Sequence, residues 1–231
     1  MARTVLEARE VTKIYRVGEV ETPAIVDVSL SIEHGEFSAL SGPSGSGKTT
    51  LMNQLGTLDR PTEGRVFVEG IDTTDMSEAK RADLRLFKLG FVFQAYNLVP
   101  VLSAAENVEF VLLLQGISAA ERRRRSRALL EELGLGDLVD KRPGQMSGGQ
   151  QQRVAVARAI ASSPQIVLAD EPTANLDSKT AESLLDLMAR MNEERGVTFL
   201  FSTHDSRVMR RARRIIHLVD GQIESDERRD S

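Results

Sequence analysis

Residues 41–50 read SGPSGSGKTT and combine three glycines with a lysine and two threonines, directly after the apolar run FSAL. Glycines let successive backbone N–H groups approach an anion closely, and a helix that follows adds its positive N-terminal end. The spacing fits a phosphate-binding loop, in which Lys48 neutralises the β- and γ-phosphates and the Thr49 hydroxyl ligates magnesium. The sequence therefore predicts a nucleoside triphosphate site, which kinases, GTPases, helicases and transport ATPases all share. Its candidate contacts are Ser41, Gly42, Pro43, Ser44, Gly45, Ser46, Gly47, Lys48, Thr49 and Thr50.

Two adjacent carboxylates end the stretch QIVLADE, residues 165–171. Such an apolar run is typical of a buried parallel strand, and open α/β sheets bind ligands at the carboxyl ends of their strands. Asp170 is therefore predicted to hold magnesium through water, and Glu171 to polarise the water that attacks a phosphate. Adjacent carboxylates are common on solvated loops, so this prediction depends on the phosphate-binding loop that precedes them.

A second helix N-terminus is predicted in MSGGQQQRVAVARAI, residues 146–160. Ser147 and two glycines precede apolar residues at helical spacing, so free N–H groups and a hydroxyl could bind another anion. A serine-capped helix with a glycine-rich entry is the alternative explanation. One nucleoside triphosphate hardly needs two such anion-binding sites from the same subunit. This motif therefore helps to distinguish between the classes of protein that share a phosphate-binding loop.

Strands alternate with helices along the chain, which indicates an α/β fold. The segments VLEAREVTKIY and AIVDVSLSI alternate like half-exposed strands, whereas EFSAL, KLGFVFQ, QIVLAD and VTFLFS are typical of buried parallel strands. The segment from about Leu84 to Ile160 is mostly helical and lies between core strands, so it is predicted to be an inserted subdomain. We expect a single domain, with residues 1–84 and 164–231 forming the core and residues 85–163, approximately, forming the helical subdomain.

Capping and turn signals mark the ends of several elements. The ending HLVDGQIES, residues 217–225, is typical of a hairpin with an Asp-Gly turn, and residues 226–231 are predicted to form a frayed tail. Capping-box spacing predicts helix starts at two places, Ser103 with Glu106 and Ser118 with Glu121.

The composition is that of an ordinary globular protein, with 231 residues of which 41% are hydrophobic and 28% charged. No stretch approaches the roughly 20 apolar residues of a membrane span, and the start MARTVLEARE lacks the apolar region of a signal peptide. We therefore expect the protein to stay in the cytoplasm unless a partner tethers it. The lack of cysteine excludes disulfides, thiolate metal sites and cysteine nucleophiles. The net charge of -4 weakly disfavours nucleic-acid binding.

Taken together, these motifs resemble those of the ATP-binding subunits of ABC transporters, and the resemblance covers essentially the whole chain. GPSGSGKTT is similar to the family's Walker A motif, VLADE to its Walker B motif with the catalytic glutamate, and MSGGQ to its signature motif. The family's fold is a P-loop NTPase core with a mostly parallel sheet, an N-terminal antiparallel β-subdomain and an inserted helical subdomain.

The resemblance also implies a role for each matching residue. It implies catalytic roles for Lys48, Glu171 and the switch histidine, His204, in FSTHD. It further implies that Tyr15 stacks on adenine, that Gln94 in FVFQ is the Q-loop glutamine that contacts ATP, and that Asp177 in NLD belongs to the D-loop. The implied magnesium ligands are Thr49, Gln94 and Asp170, and the signature residues that serve the opposite subunit are Ser147, Gly148, Gly149 and Gln150.

Longer stretches, such as LGTLDRPTEG and VLADEPTANLDSKT, are similar to the lipoprotein-release and macrolide-export branch of the family, the LolD and MacB types. This likeness implies ATP and Mg²⁺ as cofactors, a head-to-tail homodimer and a separate integral membrane permease. The subunit would then lie on the cytoplasmic side of the inner membrane and power the extrusion of lipoproteins, macrolides or peptides. Two departures are Met146, where the family usually has leucine of similar volume, and Ala174, where relatives often have glycine.

Two arginine-rich stretches, ERRRRSR and RVMRRARRI, test an alternative, a non-transport ABC-type ATPase that acts on DNA or ribosomes. Arginines can follow a phosphate backbone, but the first stretch lies in a helical pattern with acidic residues, typical of a solvated face. Non-transport relatives usually carry two cassettes or long inserted arms, and the sequence shows neither, so no nucleic-acid partner is expected. A P-loop kinase would need an acceptor pocket and a lid, and it would leave MSGGQ without a role.

Overall fold

The computed structural model describes residues 3–229. Their strands form two sheets, and the helices pack against these sheets and against one another. The strands are β1 (Thr4–Val17), β2 (Val20–Glu33), β3 (Phe37–Ser41), β4 (Glu63–Val68), β5 (Ile71–Asp72), β6 (Leu89–Val92), β7 (Ile166–Asp170), β8 (Phe199–Ser202), β9 (Arg214–Val219) and β10 (Gln222–Arg228). The helices are α1 (Lys48–Leu55), α2 (Glu78–Lys88), α3 (Ala104–Leu114), α4 (Ala119–Glu132), α5 (Gly148–Ala161), α6 (Ser178–Arg195) and α7 (Ser206–Arg211).

The first sheet is antiparallel and has the strand order β2-β1-β4-β5. Along β2, buried Val28, Leu30 and Ile32 alternate with more exposed residues, so one face of the strand packs on the core. This alternation is expected where only one face of a sheet is covered. The predicted N-terminal antiparallel subdomain is therefore confirmed.

The second sheet has six strands in the order β10-β9-β3-β8-β7-β6, and the neighbours from β9 to β6 are parallel. All five residues of β3 and all four of β8 are buried, because helices cover one face of this sheet, and α1 together with the first sheet covers the other. Phe37 of β3 packs against Phe201 of β8 with ring centroids 4.7 Å apart. The predicted α/β core with a mostly parallel sheet is confirmed.

The helices α3, α4 and α5 follow one another between β6 and β7. In the sequence-based division, residues 85–163 form the helical subdomain, but this range also contains β6. This strand lies in the segment KLGFVFQ, which is predicted above to be buried and parallel: Gly90 and Phe91 pair in parallel with Val167 and Leu168, which places β6 in the core sheet. The continuous helical insertion thus lies between Val92 and Ile166. Across residues 3–229, none of the helices combines the length and apolar character needed to cross a membrane.

Of the two predicted capping boxes, one forms and one does not. Ser103 caps α3: its Oγ accepts from the Glu106 N–H at 3.2 Å, and its own N–H donates to the Glu106 carboxylate at 2.8 Å. Ser118 precedes α4 without a side-chain cap. The predicted helix start at Ser118 is therefore confirmed, but its capping box does not form, because Glu121 accepts from the arginines at 124 and 125, three and four residues further along the helix.

The predicted hairpin near the C-terminus is confirmed. Asp220 and Gly221 have φ of 46° and 78°, the left-handed pair that a two-residue hairpin turn requires, and they join β9 to β10. The predicted tail is shorter than expected, because β10 continues to Arg228 and Asp226 forms an ion pair of 2.7 Å with Arg214. Residues 230 and 231 of that tail lie outside the described residues.

Candidate nucleotide site

A cleft of about 520 Å³ lies where the core strands β3, β7 and β8 end. Ligands of open α/β sheets bind at this edge, because the loops that follow parallel strands gather there. Many of the predicted phosphate-loop residues line the cleft, together with Gln94, Glu171 and His204. The lining residues are Ala24, Ser44, Gly45, Gly47, Lys48, Thr49, Thr50, Gln94, Glu171, Ala174, Ser202 and His204.

The phosphate-binding loop connects β3 to α1 and turns tightly between other parts of the backbone. Gly47, which precedes the helix, has φ of 101°, and a Cβ atom there would overlap the carbonyl oxygen of Ala24. A Cβ atom at Gly42 would overlap the carbonyl oxygen of Leu218 in the same way. Both positions therefore require glycine, and the loop is held in place by β2 and β9 rather than by its own sequence alone.

Lys48 is buried and spans the loop that precedes it. Its Nζ donates to the carbonyl oxygens of Gly42 and Pro43 at 2.9 and 2.8 Å. The ammonium group therefore stays at the cleft although no carboxylate of residues 3–229 forms an ion pair with it. A lysine held in this way is suited to neutralising the charge of a bound phosphate.

Oxygen atoms suited to magnesium meet at the floor of the cleft. Thr49 Oγ1 donates to Asp170 Oδ2 at 3.2 Å, so the start of α1 is joined to the end of β7. The other oxygen, Asp170 Oδ1, is buried and has no hydrogen-bond partner within the described chain. Because an unpartnered buried carboxylate oxygen is costly, and because hydroxyl and carboxylate oxygens suit Mg²⁺, the residues present fit this ion.

Glu171 follows β7 and has φ of 46°, a left-handed conformation that is strained for a residue other than glycine. Its two carboxylate oxygens each have a partner: Nδ1 of His204 lies 2.6 Å from Oε1, and Thr203 Oγ1 donates to Oε2 at 3.2 Å. The Glu171 side chain is 17% exposed and the His204 side chain 76% exposed. The carboxylate is thus fixed at the wall of the cleft, whereas the imidazole faces solvent.

Tyr15 lies near the end of β1, is 41% exposed and does not line the cleft. Its hydroxyl is 3.4 Å from Asp59 Oδ2, and the Lys13 ammonium lies 5.1 Å from the ring centroid. The adjoining strand β2 does reach the cleft, through Ala24. Tyr15 therefore lies on the strand next to β2, with much of its side chain open.

The signature residues lie away from this cleft. Ser147 caps α5, with its Oγ accepting from the Gln150 N–H at 3.3 Å and its own N–H donating to Gln150 Oε1 at 2.8 Å. Ser147 is exposed, and no residue from 147 to 150 lines the cleft around Lys48. Within one chain, the phosphate-binding loop and the helix N-terminus at Ser147 therefore do not meet.

The glycines of the signature allow close packing. A Cβ atom at Gly148 would lie 2.7 Å from the Tyr96 hydroxyl, and one at Gly149 would overlap the Thr180 side chain. Thr180 also donates to Asp177, which caps α6, and these hydrogen bonds lower the pKa of the Asp177 carboxyl. Within one chain, Asp177 is thus a helix cap beside the signature and not part of the cleft.

Some contributors to the site were not found by sequence reasoning. Ala24 and Ser202 line the cleft, and Thr203 holds the Glu171 carboxylate. The available signal for Ser202 and Thr203 was that polar residues stand at the end of the buried strand β8 and directly after it. The departures from the family pattern are accommodated: Met146 is buried in the helical core, and Ala174 lines the cleft.

Comparison with known sequences agrees with this geometry. Residues 25–174 match the sequence profile described as ABC transporter. The chain is 50% identical over 223 residues to the macrolide export ATP-binding/permease protein MacB of Syntrophobacter fumaroxidans, with 96% of this chain and 31% of that protein covered. It is 46% identical to the lipoprotein-releasing system ATP-binding protein LolD of Anaeromyxobacter dehalogenans, with 98% and 95% covered. The chain thus spans about a third of the MacB relative and nearly all of the LolD relative.

Solved structures give the same result. A dimeric structure of the ATP-binding cassette MJ0796, whose sequence is that of Methanocaldococcus jannaschii, superposes with a TM-score of 0.90 at 45% identity. The match covers 98% of this chain and 99% of that one, and the structure is described as a post-hydrolysis state bound to ADP and Pi. The profile, the relatives and the phosphate-binding cleft lead to one conclusion: this chain belongs to the ABC transporter family and is a nucleotide-binding cassette of that family.

Proposed function

We propose that this chain is the ATP-hydrolysing subunit of an ABC exporter, with Glu171 as the residue that activates water. The observation that carries the proposal is the Glu171 carboxylate, which Thr203 and His204 hold at the wall of the phosphate-loop cleft. Hydrolysis requires a group that orients the attacking water and accepts its proton as the bond between the β- and γ-phosphates breaks. Glu171 would take that proton, and His204 would keep the carboxylate in position.

The other cleft residues would bind and orient the nucleotide. Lys48 would move from its own loop carbonyls to the β- and γ-phosphate oxygens, and the loop N–H groups would surround the same oxygens. Thr49, Asp170 and Gln94 would hold magnesium, which when bound neutralises charge on the transferred phosphoryl group. Tyr15 would stack on the adenine.

Two copies would act as a head-to-tail dimer, in which the signature of one copy completes the cleft of the other. The support is geometric: Ser147 is exposed at the N-terminus of α5, outside the cleft of its own chain. A triphosphate bound over Lys48 would be left with an open side that a second helix N-terminus can close. MJ0796, which this chain resembles, has been solved as a dimer.

A groove of about 390 Å³ between the core and the helical insertion would receive the permease. Its walls include Phe91, Phe93 and the half-exposed Phe110 and Leu114, and an apolar surface of this kind marks a protein interface. No acidic residue lines it. The partner would be an integral membrane permease that presents an apolar segment, as the names of the MacB and LolD relatives suggest.

On this proposal the chain is a translocase subunit, peripheral to the cytoplasmic side of the inner membrane. It would drive extrusion of the lipoprotein, macrolide or peptide type. The core, made of the sheets with α1, α2, α6 and α7, would bind nucleotide, and the helical insertion would carry both the signature and the permease contact.

The alternative, action on DNA or ribosomes, gains no support from the arginine-rich stretches. Arg124 and Arg125 both donate to Glu121, and these hydrogen bonds lower the pKa of the Glu121 carboxyl to about 2. Arg211 likewise pairs with Glu182 and Asp186. Arginines that are neutralised within the chain are poorly placed to follow a phosphate backbone.

The test of the proposed partner is capture of the permease from native membranes by the tagged wild-type chain in the presence of MgATP. Replacement of Phe110 and Leu114 together by serine should abolish capture of an integral membrane protein while basal ATP hydrolysis continues. Ile71→Ser, at an equally exposed apolar position outside the groove, is the matched control. Equal capture by the groove variant and the control would contradict the assignment of the groove, and salt-dependent binding to DNA would favour the alternative.

A further inference from the structure

The loop that follows β6 contains two consecutive residues in the left-handed conformation. Tyr96 has φ of 59° and Asn97 has φ of 49°. Asparagine adopts this conformation readily, but a bulky aromatic residue seldom does, and such strain persists only where the surroundings enforce it. The loop also carries Gln94, which lines the nucleotide cleft. Contacts with other parts of the chain must therefore enforce the conformation of this loop.

Arg158 of α5 contacts both strained residues. Its Nη2 donates to the Tyr96 carbonyl at 2.9 Å, and its Nη1 donates to the Asn97 carbonyl. A planar guanidinium can bind two neighbouring acceptors at once, which a lysine ammonium cannot do with the same geometry. Burial lowers the pKa of Arg158, and no carboxylate in the described part of the chain forms an ion pair with it. The partners of this cation are thus main-chain carbonyls of the loop.

The same helix and the same loop meet at a second point. The Tyr96 hydroxyl packs against Gly148, where a Cβ atom would lie 2.7 Å away. Gly148 and Arg158 are ten residues apart, about 15 Å along the helix, so the loop is attached to α5 at both its first residue and its last turn. A displacement of the loop therefore reaches the helix that begins at the signature serine.

The Arg158 contact also borders the apolar groove. Asn97 and Arg158 both line it, whereas Gln94 lines the nucleotide cleft on the other side of the loop. An occupant of the groove would therefore lie against Asn97 of the loop and against Arg158, which holds the loop. The loop is thus the shortest covalent path between the groove and the cleft.

We infer that Arg158 is a positioning residue for ATP hydrolysis, which keeps residues 94–97 in their strained conformation and thereby couples the groove to Gln94. The kinetic part of this inference rests on the proposed ATPase function. Its structural part, that Arg158 restrains the loop, does not depend on hydrolysis.

The structural part is tested by hydrogen exchange on the nucleotide-free protein, followed by mass spectrometry of a peptide that contains Tyr96 and Asn97. The amides of these residues donate to the Phe93 and Ala95 carbonyls, and they exchange when the loop opens. Arg158→Met should speed their exchange by roughly tenfold or more, and Arg158→Lys should give an intermediate value.

The matched control is Arg153→Met, on the same helix. Arg153 also donates to a backbone carbonyl, that of Leu133, and to the Ser183 hydroxyl, but it makes no contact with the loop. It should leave exchange at Tyr96 and Asn97 unchanged. Thermal unfolding of all variants checks that they fold, and if Arg158→Met does not, Arg158→Lys still decides the question.

The kinetic part is tested by ATP hydrolysis. Misplacement of Gln94 should lower kcat by about 10- to 100-fold in Arg158→Met with little change in KM for ATP, and the lysine variant should recover part of the loss. Unchanged loop exchange in both Arg158 variants, or an equal effect of Arg153→Met, would overturn the inference. If the wild-type protein does not hydrolyse ATP, the proposed function is refuted. If loop exchange is nevertheless faster in the Arg158 variants, the structural restraint by Arg158 still holds.

Discussion

Nδ1 of His204 lies 2.6 Å from Oε1 of Glu171, although the two residues are 33 positions apart in the chain. They meet because β7 and β8 are neighbouring parallel strands, so the residues that follow their carboxyl ends share one edge of the sheet. Thr203, directly after β8, holds the second carboxylate oxygen. The base proposed for hydrolysis is therefore oriented by two residues of one loop.

Glu171→Gln should keep ATP affinity near wild type while it lowers the hydrolysis rate by about 100- to 10,000-fold. The amide has nearly the same shape and can still hydrogen-bond, but it cannot accept a proton, and a positioned acid or base contributes a factor of this size. ATP should then trap a dimer. Steady-state phosphate release and light scattering measure the two effects.

The matched control for this change is Glu193→Gln, at an exposed position on α6. It removes the same charge without touching the cleft, and both rate and assembly should match the wild type. Turnover near the wild-type rate in Glu171→Gln, with only monomer present in ATP, would show that Glu171 has another role.

Tyr15→Ala should weaken ATP binding by roughly 1 to 3 kcal/mol, about 5- to 150-fold in Kd, if the ring stacks on adenine. Tyr15→Phe should have a mild effect, because stacking needs the ring and not the hydroxyl, which lies 3.4 Å from Asp59. Isothermal titration with ATP, in the Glu171→Gln background, measures the affinities. Equal Kd values for the three proteins would show that Tyr15 has only a structural role in β1.

Mixing Lys48→Ala with Ser147→Arg, both in the Glu171→Gln background, should restore trapping of about one ATP per dimer, whereas either variant alone traps little. The reason is that each shared site would use Lys48 of one subunit and Ser147 of the other. In a mixed dimer, one site then carries both substitutions and the other site carries neither. Filtration with labelled ATP measures the trapped nucleotide. Cleft and signature lie on different surfaces of one chain, which makes this outcome the expected one.

The mixed-dimer experiment depends on the presence of mixed dimers, so differently tagged variants should be copurified before the nucleotide is added. If such dimers trap no more ATP than the separate variants, each site is confined to one chain and the head-to-tail proposal fails. Trapped nucleotide is the readout because the Glu171→Gln background removes hydrolysis.

Asp205→Asn should lower the free energy of unfolding at pH 7 by about 1 to 3 kcal/mol. Burial raises the pKa of Asp205, but hydrogen bonds from Arg207 and Thr173 outweigh burial and lower the pKa to about 2. The ionised carboxylate therefore contributes stability above the unfolded pKa of about 3.9, and this contribution is lost as the pH falls towards 2.

Urea unfolding followed by circular dichroism measures this effect. The difference between wild type and Asp205→Asn should be constant from pH 7 to about pH 5 and should narrow below that, since the carboxylate of the unfolded wild-type chain takes up a proton before that of the folded chain. Asp137→Asn, at an exposed position without a hydrogen-bond partner in the described chain, should show no such difference. A gap that stays constant down to pH 3 would mean that Asp205 does not stabilise the fold through its charge.

Much of the fold and the family could be predicted because their signals are local. The glycines, Lys48 and Thr49 follow one another in a single turn, and the apolar run before Asp170 identifies its own strand. Periodicity and turn residues likewise identified the core strands and the final hairpin. The roles of the individual site residues remain predictions that the experiments above address.

Other features depend on partners that lie far away in the chain. The point at which the helical insertion begins is set by the pairing of β6 with β7, across more than 70 residues. The Ser118 capping box does not form because two arginines donate to Glu121. The hold of Arg158 on Tyr96 and Asn97, and that of Thr203 on Glu171, have no counterpart in local spacing. A motif shows which chemical groups a short segment contains. Only the packing of helices and strands brings an arginine or a hydroxyl within hydrogen-bonding distance of a distant carbonyl or carboxylate, because hydrogen bonds require contact and contact follows from the tertiary fold.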